Sequence, residues 1–261
     1  MSEKVLLPGT MGALHEGARD ALAQQGFEAV YLGPITGEDI DTGLAHIDND
    51  VCLATIAAIG QYLRYFDEHG VEAGMHVLAP ELCRDCRSLS TPDILPSAFA
   101  RAGVEGIGIV PFSSADAKAA APAGPAASAA CDRPVIGVTG NMPVITTDEF
   151  RRVVCTHLEE SGCRVVLPPV ARIADERDFL TPALRYFDEQ GIATVICVLP
   201  FGCLGGHVFA RGQLRKFQRE FPHIELTILD YDPSASDINL VNRTELVIQS
   251  AKEKAARAQA R

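Results

Sequence analysis

Eight cysteines are spread through 261 residues, and their spacing frames the chemistry open to the chain. Two lie three apart in "APELCRDCRSLSTP", residues 79–92, as Cys83 and Cys86. Such a pair serves as a redox dithiol, as half of a zinc site, or as part of a metal centre completed from elsewhere in the chain. A zinc ribbon ordinarily shows a second close pair, which this sequence lacks. A thioredoxin-like dithiol opens a helix after the first strand and holds apolar residues or Pro between its cysteines. Here Arg84 and Asp85 intervene, after a later strand. Dispersed thiolates drawn from several segments suit an iron–sulfur cluster, which tolerates wide separation in sequence.

The remaining cysteines sort by context. In "HIDNDVCLATIAAIGQYLRYF", residues 46–66, Asp48, Asn49 and Asp50 are cap residues, and the apolar spacing predicts a helix from about residue 51. Cys52 then falls in its first turn, where unpaired N–H groups and the helix dipole favour thiolate. The competing reading is a small hydrophobe on the buried face. Cys203 follows a buried run in "VLPFGC". Cys155 belongs to the helix "TTDEFRRVVCTHLEE", opened by the capping box Thr146 and Glu149, while Cys163 follows a Ser-Gly turn. Cys197 sits inside the strand "ATVICVLP", and Cys131 stands in a linker. Cys52, Cys83, Cys86 and Cys203 are the four at element ends.

The elements that must position them repeat. "LRYFDEHGVEAGMHVLAPELC" (63–83) aligns with "LRYFDEQGIATVICVLPFGC" (184–203) with one residue of slippage. Each half reads as an amphipathic helix stopped by Gly70 or Gly191, then a buried strand, Pro and Cys. "KVLLPGT" and "PVIGVTGN" each read as a strand closing on a glycine-bearing turn and open their own halves. Alternating strands and helices predict an α/β fold of two similar Rossmann-like lobes with parallel sheets. Ligands of such sheets bind beyond the C-terminal strand ends, so a site in the interlobe cleft is expected. The Ala/Pro/Gly/Ser stretch "SSADAKAAAPAGPAASAACD" cannot form a packed element. The division is therefore an N-terminal lobe 1–112, a linker 113–132 and a C-terminal lobe 133–261.

Composition narrows the partners. With 34 Asp and Glu against 23 Lys and Arg the net charge is -11, which argues against nucleic acid or an anionic membrane surface. "MSEKVLLPGTMGAL" has too short an apolar run for a signal segment, and no run is long enough to span a membrane, so a cytoplasmic setting is expected. In a reducing compartment eight cysteines point away from a disulfide framework.

The stretches "DNDVCLATIAAIGQYL", "PELCRDCRS" and "VLPFGCLGGHVFARGQLRKFQREFPHIELTILDYDPSASDINLVNRTELVI" together resemble the 2-hydroxyacyl-CoA dehydratase superfamily, in particular its activase-associated branch. The resemblance covers most of both lobes and is strongest over about residues 195–249. It implies paired α/β lobes around a [4Fe–4S] or bridged double-cubane cluster. It also implies an ATP-hydrolysing activase on a separate chain that supplies one electron for dehydration of a 2-hydroxyacyl-CoA or reduction of another small substrate. Carried over residue by residue, it makes Cys52, Cys83 and Cys203 metal ligands and Cys86 a candidate fourth. The chain departs from the family's pattern in being short and in reading "CLA" for the usual "CLP". Four well-placed thiols favour one cubane per chain over a double cubane, with a centre shared in a homodimer left open. The sequence has no G-x-x-x-x-G-K-[ST] of its own.

Lesser features fit more than one role. Gly202, Gly205 and Gly206 around Cys203 could turn N–H groups toward cluster sulfur or a phosphate, or simply form a tight turn. His207 reads as structural. Arg84 and Arg87 could steady thiolates or stand in solvent. Asp230, Asp232 and Asp237 do not make an EF-hand, because Ala235 and Val241 occupy its glycine and glutamate positions. A catalytic iron–sulfur protein is one reading. A noncatalytic metal-binding accessory or electron-transfer protein is its alternative, and a cofactor-free small-molecule binder a third.

Overall fold

A computed structural model describes residues 3–48, 51–81, 91–113, 115–116, 119, 133–141, 150–173, 178–200, 203–232 and 238–259. The chain divides into two compact units, each built on its own sheet. The first unit holds β1 (Glu3–Leu7), α1 (His15–Gln24), β2 (Phe27–Tyr31), α2 (Gly37–His46), α3 (Leu53–His69), β3 (Met75–Glu81), α4 (Thr91–Arg101) and β4 (Gly108–Ser113). Its strands lie in the order β2-β1-β3-β4, every pair parallel. The apolar run "KVLL" forms the central β1, with Val5, Leu6 and Leu7 fully buried, as expected of a strand covered on both faces.

The second unit opens with β5 (Val135–Gly140), then a π-turn (Arg151–Thr156) running into α5 (His157–Glu160), β6 (Arg164–Val166) and α6 (Val170–Ile173). It continues through α7 (Leu180–Glu189), β7 (Thr194–Pro200), α8 (Leu204–Phe209), α9 (Leu214–Glu220), β8 (Glu225–Tyr231) and α10 (Ile238–Gln259). Strand order is β6-β5-β7-β8, again all parallel, so both units share one winding. The repeat seen in the sequence is this winding: α3 and β3 in one unit, α7 and β7 in the other. Gly70 and Gly191 end the two helices in left-handed conformation, with φ of 76° and 69°. No helix among the described residues is long and apolar enough to cross a membrane.

Each unit has its own core. Leu6, Ile59, Tyr62, Val77 and Phe99 pack together in the first; Leu184, Phe187, Val195, Leu199 and Phe217 in the second. In the first, α2 and α3 approach until their backbones touch. A Cβ placed on Gly60 would lie 1.7 Å from the Asp39 carbonyl oxygen, and one on Gly43 would lie 2.1 Å from that of Ile56. Two residues without Cβ therefore set the crossing. Arg64 on α3 bonds the buried Asp39 carboxylate at 2.7 Å, and Thr36 forms a capping box with the same residue.

Candidate functional site

Cys52 lies outside α3 as its N-cap residue, with extended backbone (φ -59°, ψ 136°), whereas the sequence predicts a helix already begun there. The Val51 N–H bonds the Asp48 carbonyl in a turn, and the Cys52 carbonyl accepts the first helical bond, from Ile56 at 3.0 Å. That geometry delays the helix by two residues and leaves the thiol part-exposed at its N-terminus. Asn49 and Asp50, offered as caps, lie outside the described residues.

The helix is held firmly at this edge of the sheet. Thr55 Oγ1 and Thr91 Oγ1 form a buried hydrogen bond of 2.9 Å, tying the first turns of α3 and α4. Two turns further on, the buried Gln61 accepts from the Gly9 N–H at 2.6 Å, and its amide donates to the Gly33 carbonyl at 3.1 Å. One side chain on α3 thus anchors the segments leaving β1 and β2. Cys83, Cys86, Arg84 and Arg87 lie outside the described residues; their flanks, Glu81 ending β3 and Thr91 opening α4, share the edge that carries Cys52.

In the second unit Cys203 is the N-cap of α8, three residues beyond β7, also part-exposed. Its Sγ accepts the Gly206 N–H at 3.3 Å. Gly206 is closely seated: a Cβ there would lie 2.8 Å from Leu199 Cδ2 and 3.3 Å from Cys203 Sγ. The glycine therefore admits the thiol to the top of the sheet while donating to it. Gly205, on the same turn, has open space around its Cα, and Gly202 lies outside the described residues.

β5 and β7 are adjacent, but the chain leaves β5 toward β6 on one side and reaches β8 on the other. Cys203 thus stands at the topological switch point, where crevices form in doubly wound sheets. Register places the neighbouring groups. Thr139, Cys197 and Ile228 share one rung, and Leu199 pairs with Asp230 on the rung nearer the C-terminal edge. The Asn141 N–H bonds the Val198 carbonyl at 3.0 Å, which sets Asn141 beside Leu199. Arg211, after α8, forms an ion pair with Asp230.

Cys155, Cys163 and Cys197 are buried, as their sequence contexts predict. Burial pushes the Cys155 thiol up to about 11 and raises those of Cys163 and Cys197 as well, so all three remain protonated small hydrophobes at neutral pH. Cys155 lies in the π-turn, its helix start of Thr146 and Glu149 falling outside the described residues. His207 is a part-exposed residue of α8. Asp230, the next-to-last residue of β8, is held in the salt bridge with Arg211, and Asp237 falls outside the described residues.

What the cysteine pattern does not reveal is a set of unpaired polar atoms. Among the described residues, Thr10 Oγ1, Thr139 Oγ1, Asn141 Oδ1, Arg211 Nε and Tyr186 Oη are buried without a hydrogen-bond partner. All but the tyrosine lie at or near the C-terminal ends of the sheets. Each such atom costs about 1–3 kcal/mol unless something pairs with it. The Gly-Asn end of "PVIGVTGN" was the one sequence signal at this edge.

Sulfur donors at helix N-termini have the softness that iron requires, so the described candidates fit an iron–sulfur group by donor chemistry. Among the described residues no three His, Cys, Asp or Glu side chains come together as a metal-holding group. No protein-family model matches the chain, and no curated protein matches it.

Proposed function

We propose that this chain is an iron–sulfur protein of the 2-hydroxyacyl-CoA dehydratase type, with one [4Fe–4S] cluster held by Cys52, Cys83 and Cys203 and with Cys86 as a candidate fourth or alternate ligand. An ATP-hydrolysing activase on a separate cytoplasmic chain supplies its low-potential electrons, and the reaction is dehydration or reduction of a small substrate. The observation that carries this reading is the contrast between two classes of thiol. Cys155, Cys163 and Cys197 are buried and hard to ionise, whereas Cys52 and Cys203 are part-exposed N-caps at the C-terminal edges of parallel sheets. A helix N-terminus favours the charged thiolate, the form that binds iron.

When bound, the cluster supplies one-electron reducing power. The chain's own residues have other tasks. Gly206 donates its N–H to Cys203 sulfur, which stabilises negative charge there, and the Thr55–Thr91 and Gln61 bonds hold α3 and Cys52 in place. Anaerobic purification followed by iron and sulfide analysis tests the proposal, repeated with Cys52, Cys83, Cys86 and Cys203 each changed to Ser. About four iron and four sulfide per chain are expected in the parent, with marked loss in the Cys52, Cys83 and Cys203 variants. Stoichiometric iron surviving all four changes would sink the assignment, and zinc in place of iron would favour the noncatalytic accessory.

A further inference from the structure

Charge is divided unevenly along the chain. Residues 1–112 carry 16 Asp and Glu against 6 Lys and Arg, whereas residues 133–261 carry 16 of each. Within the second unit cations gather on one segment: between Gln190 and Arg219 stand Arg211, Arg215, Lys216 and Arg219, with no Asp or Glu. Here α8 runs into α9 through a 3-10 turn at Arg211–Gln213, and Leu204, Val208, Gly212, Arg215 and Arg219 recur every three or four residues. All five are exposed, while Gly206, Ala210 and Phe217 are buried, so the five form one outward stripe. It is apolar beside Cys203, where Leu204 and Val208 are 58% and 50% exposed, and basic at its far end. Asp230 pairs with Arg211 and Asp178 with Lys216, but among the described residues Arg215 and Arg219 have no carboxylate partner.

In the first unit α2 presents the opposite charge. Residues 37–48 hold four acidic side chains and no Lys or Arg, and Glu38, Asp41, Leu44 and Ala45 make the exposed stripe of the helix. Leu44 is 42% exposed. Glu38 shares Arg64 with the buried Asp39, and Asp41 has no basic partner among the described residues.

We propose that a second copy of this chain docks here, the α8–α9 stripe of one copy lying on the α2 stripe of the other. Each stripe sets an exposed aliphatic side chain beside charges of one sign, and the signs are opposite, so a single contact covers apolar surface and pairs Arg215 and Arg219 with Glu38 and Asp41. A polyanion is a poor rival occupant, because the net charge of -11 repels it. The contact joins unlike surfaces, so it forms twice about a two-fold axis or extends from copy to copy. Exposed charge pairs contribute little each, which sets the association at roughly 10–100 μM. The inference goes beyond the iron–sulfur reading and does not depend on it.

Sedimentation equilibrium of the full chain at up to about 200 μM, roughly twice the upper end of that range, tests the contact, with and without prior iron chelation. A dimer or larger species is expected in both samples. Arg215→Glu with Arg219→Glu, and separately Glu38→Lys with Asp41→Lys, should each weaken association at least tenfold, with circular dichroism confirming that the variants fold. Mixed in equal amounts, the two variants should associate like the parent, because each then offers the other a stripe of opposite sign. Leu204→Ser with Val208→Ser, both at exposed positions, should weaken it several-fold. The proposal is overturned by a parent that stays monomeric, which would leave the stripe to a different partner, by charge variants that associate like the parent, or by a mixture that stays monomeric after both variants have dissociated. Association lost on chelation overturns the docking contact and leaves the cluster reading standing, whereas association in protein that binds no iron overturns the cluster reading alone.

Discussion

Replacing Gly60 by Ala tests the packing that fixes α3, and with it Cys52. The added Cβ would stand 1.7 Å from the Asp39 carbonyl oxygen and 2.7 Å from the Gly43 nitrogen. Both neighbours are backbone, so no change of rotamer relieves the clash. Bringing the shorter contact even to 3.0 Å requires α2 and α3 to separate by ~1.3 Å. Overpacking of this kind costs about 1–3 kcal/mol and sometimes more, while Ala returns about 1 kcal/mol of helix propensity over Gly. With backbone on both sides the upper end of the range applies, giving a net loss of about 2 kcal/mol. For a unit of this size that corresponds to a fall in Tm of roughly 5–10 °C. Urea and thermal unfolding followed by circular dichroism measure it. Gly37→Ala is the control: it begins α2 with nothing within 4 Å of the new Cβ, and should leave stability unchanged or slightly raised. A Gly60→Ala protein that melts with the parent would refute the backbone contact between α2 and α3.

Two further outcomes follow from buried groups. Asp39→Asn keeps the volume but removes a carboxylate whose side chain is 4% exposed and which bonds Arg64 at 2.7 Å and the Thr36 N–H at 2.8 Å. Because Arg64 is part-exposed and retains Glu38, the expected loss is about 2 kcal/mol, below the range for a fully buried pair; an unchanged urea midpoint would contradict it. The second concerns alkaline pH. Burial raises the Cys155 thiol from 9.0 to about 11, so its contribution to stability is complete below pH 9.0 and is lost as pH rises through about 11. The loss attributable to Cys155 is about 2–3 kcal/mol. Cys155→Val should flatten the decline of the urea midpoint over that interval, and an identical alkaline slope in both proteins would count against the buried thiol.

Much of the fold is legible in the chain because it is carried by local pattern. Apolar runs such as "KVLL" and "ATVICVLP" are strands, Gly70 and Gly191 stop the helices they follow, and the aligned halves become units of equal winding. The segregation of Cys155, Cys163 and Cys197 into the interior is legible for the same reason. The start of α3 is less so: Asp48, Asn49 and Asp50 all read as caps, yet the extended backbone at Cys52 makes the cysteine itself the N-cap. Features set by pairing between distant segments leave no local trace. Asn141 meets Leu199, and Leu199 meets Asp230, only through strand register, and Arg211 reaches Asp230 only after α8 turns back. Gln61 is likewise an ordinary polar residue on a helix until the fold brings Gly9 and Gly33 to it.

The most direct test of the central claim is differential alkylation of the anaerobically purified protein, read by mass spectrometry before and after iron is removed with a chelator. Cys52 and Cys203 are predicted to be protected while iron is bound and to become labelled once it is removed, with Cys155, Cys163 and Cys197 unlabelled in both native samples. Equal labelling of Cys52 and Cys203 with and without iron would contradict the account.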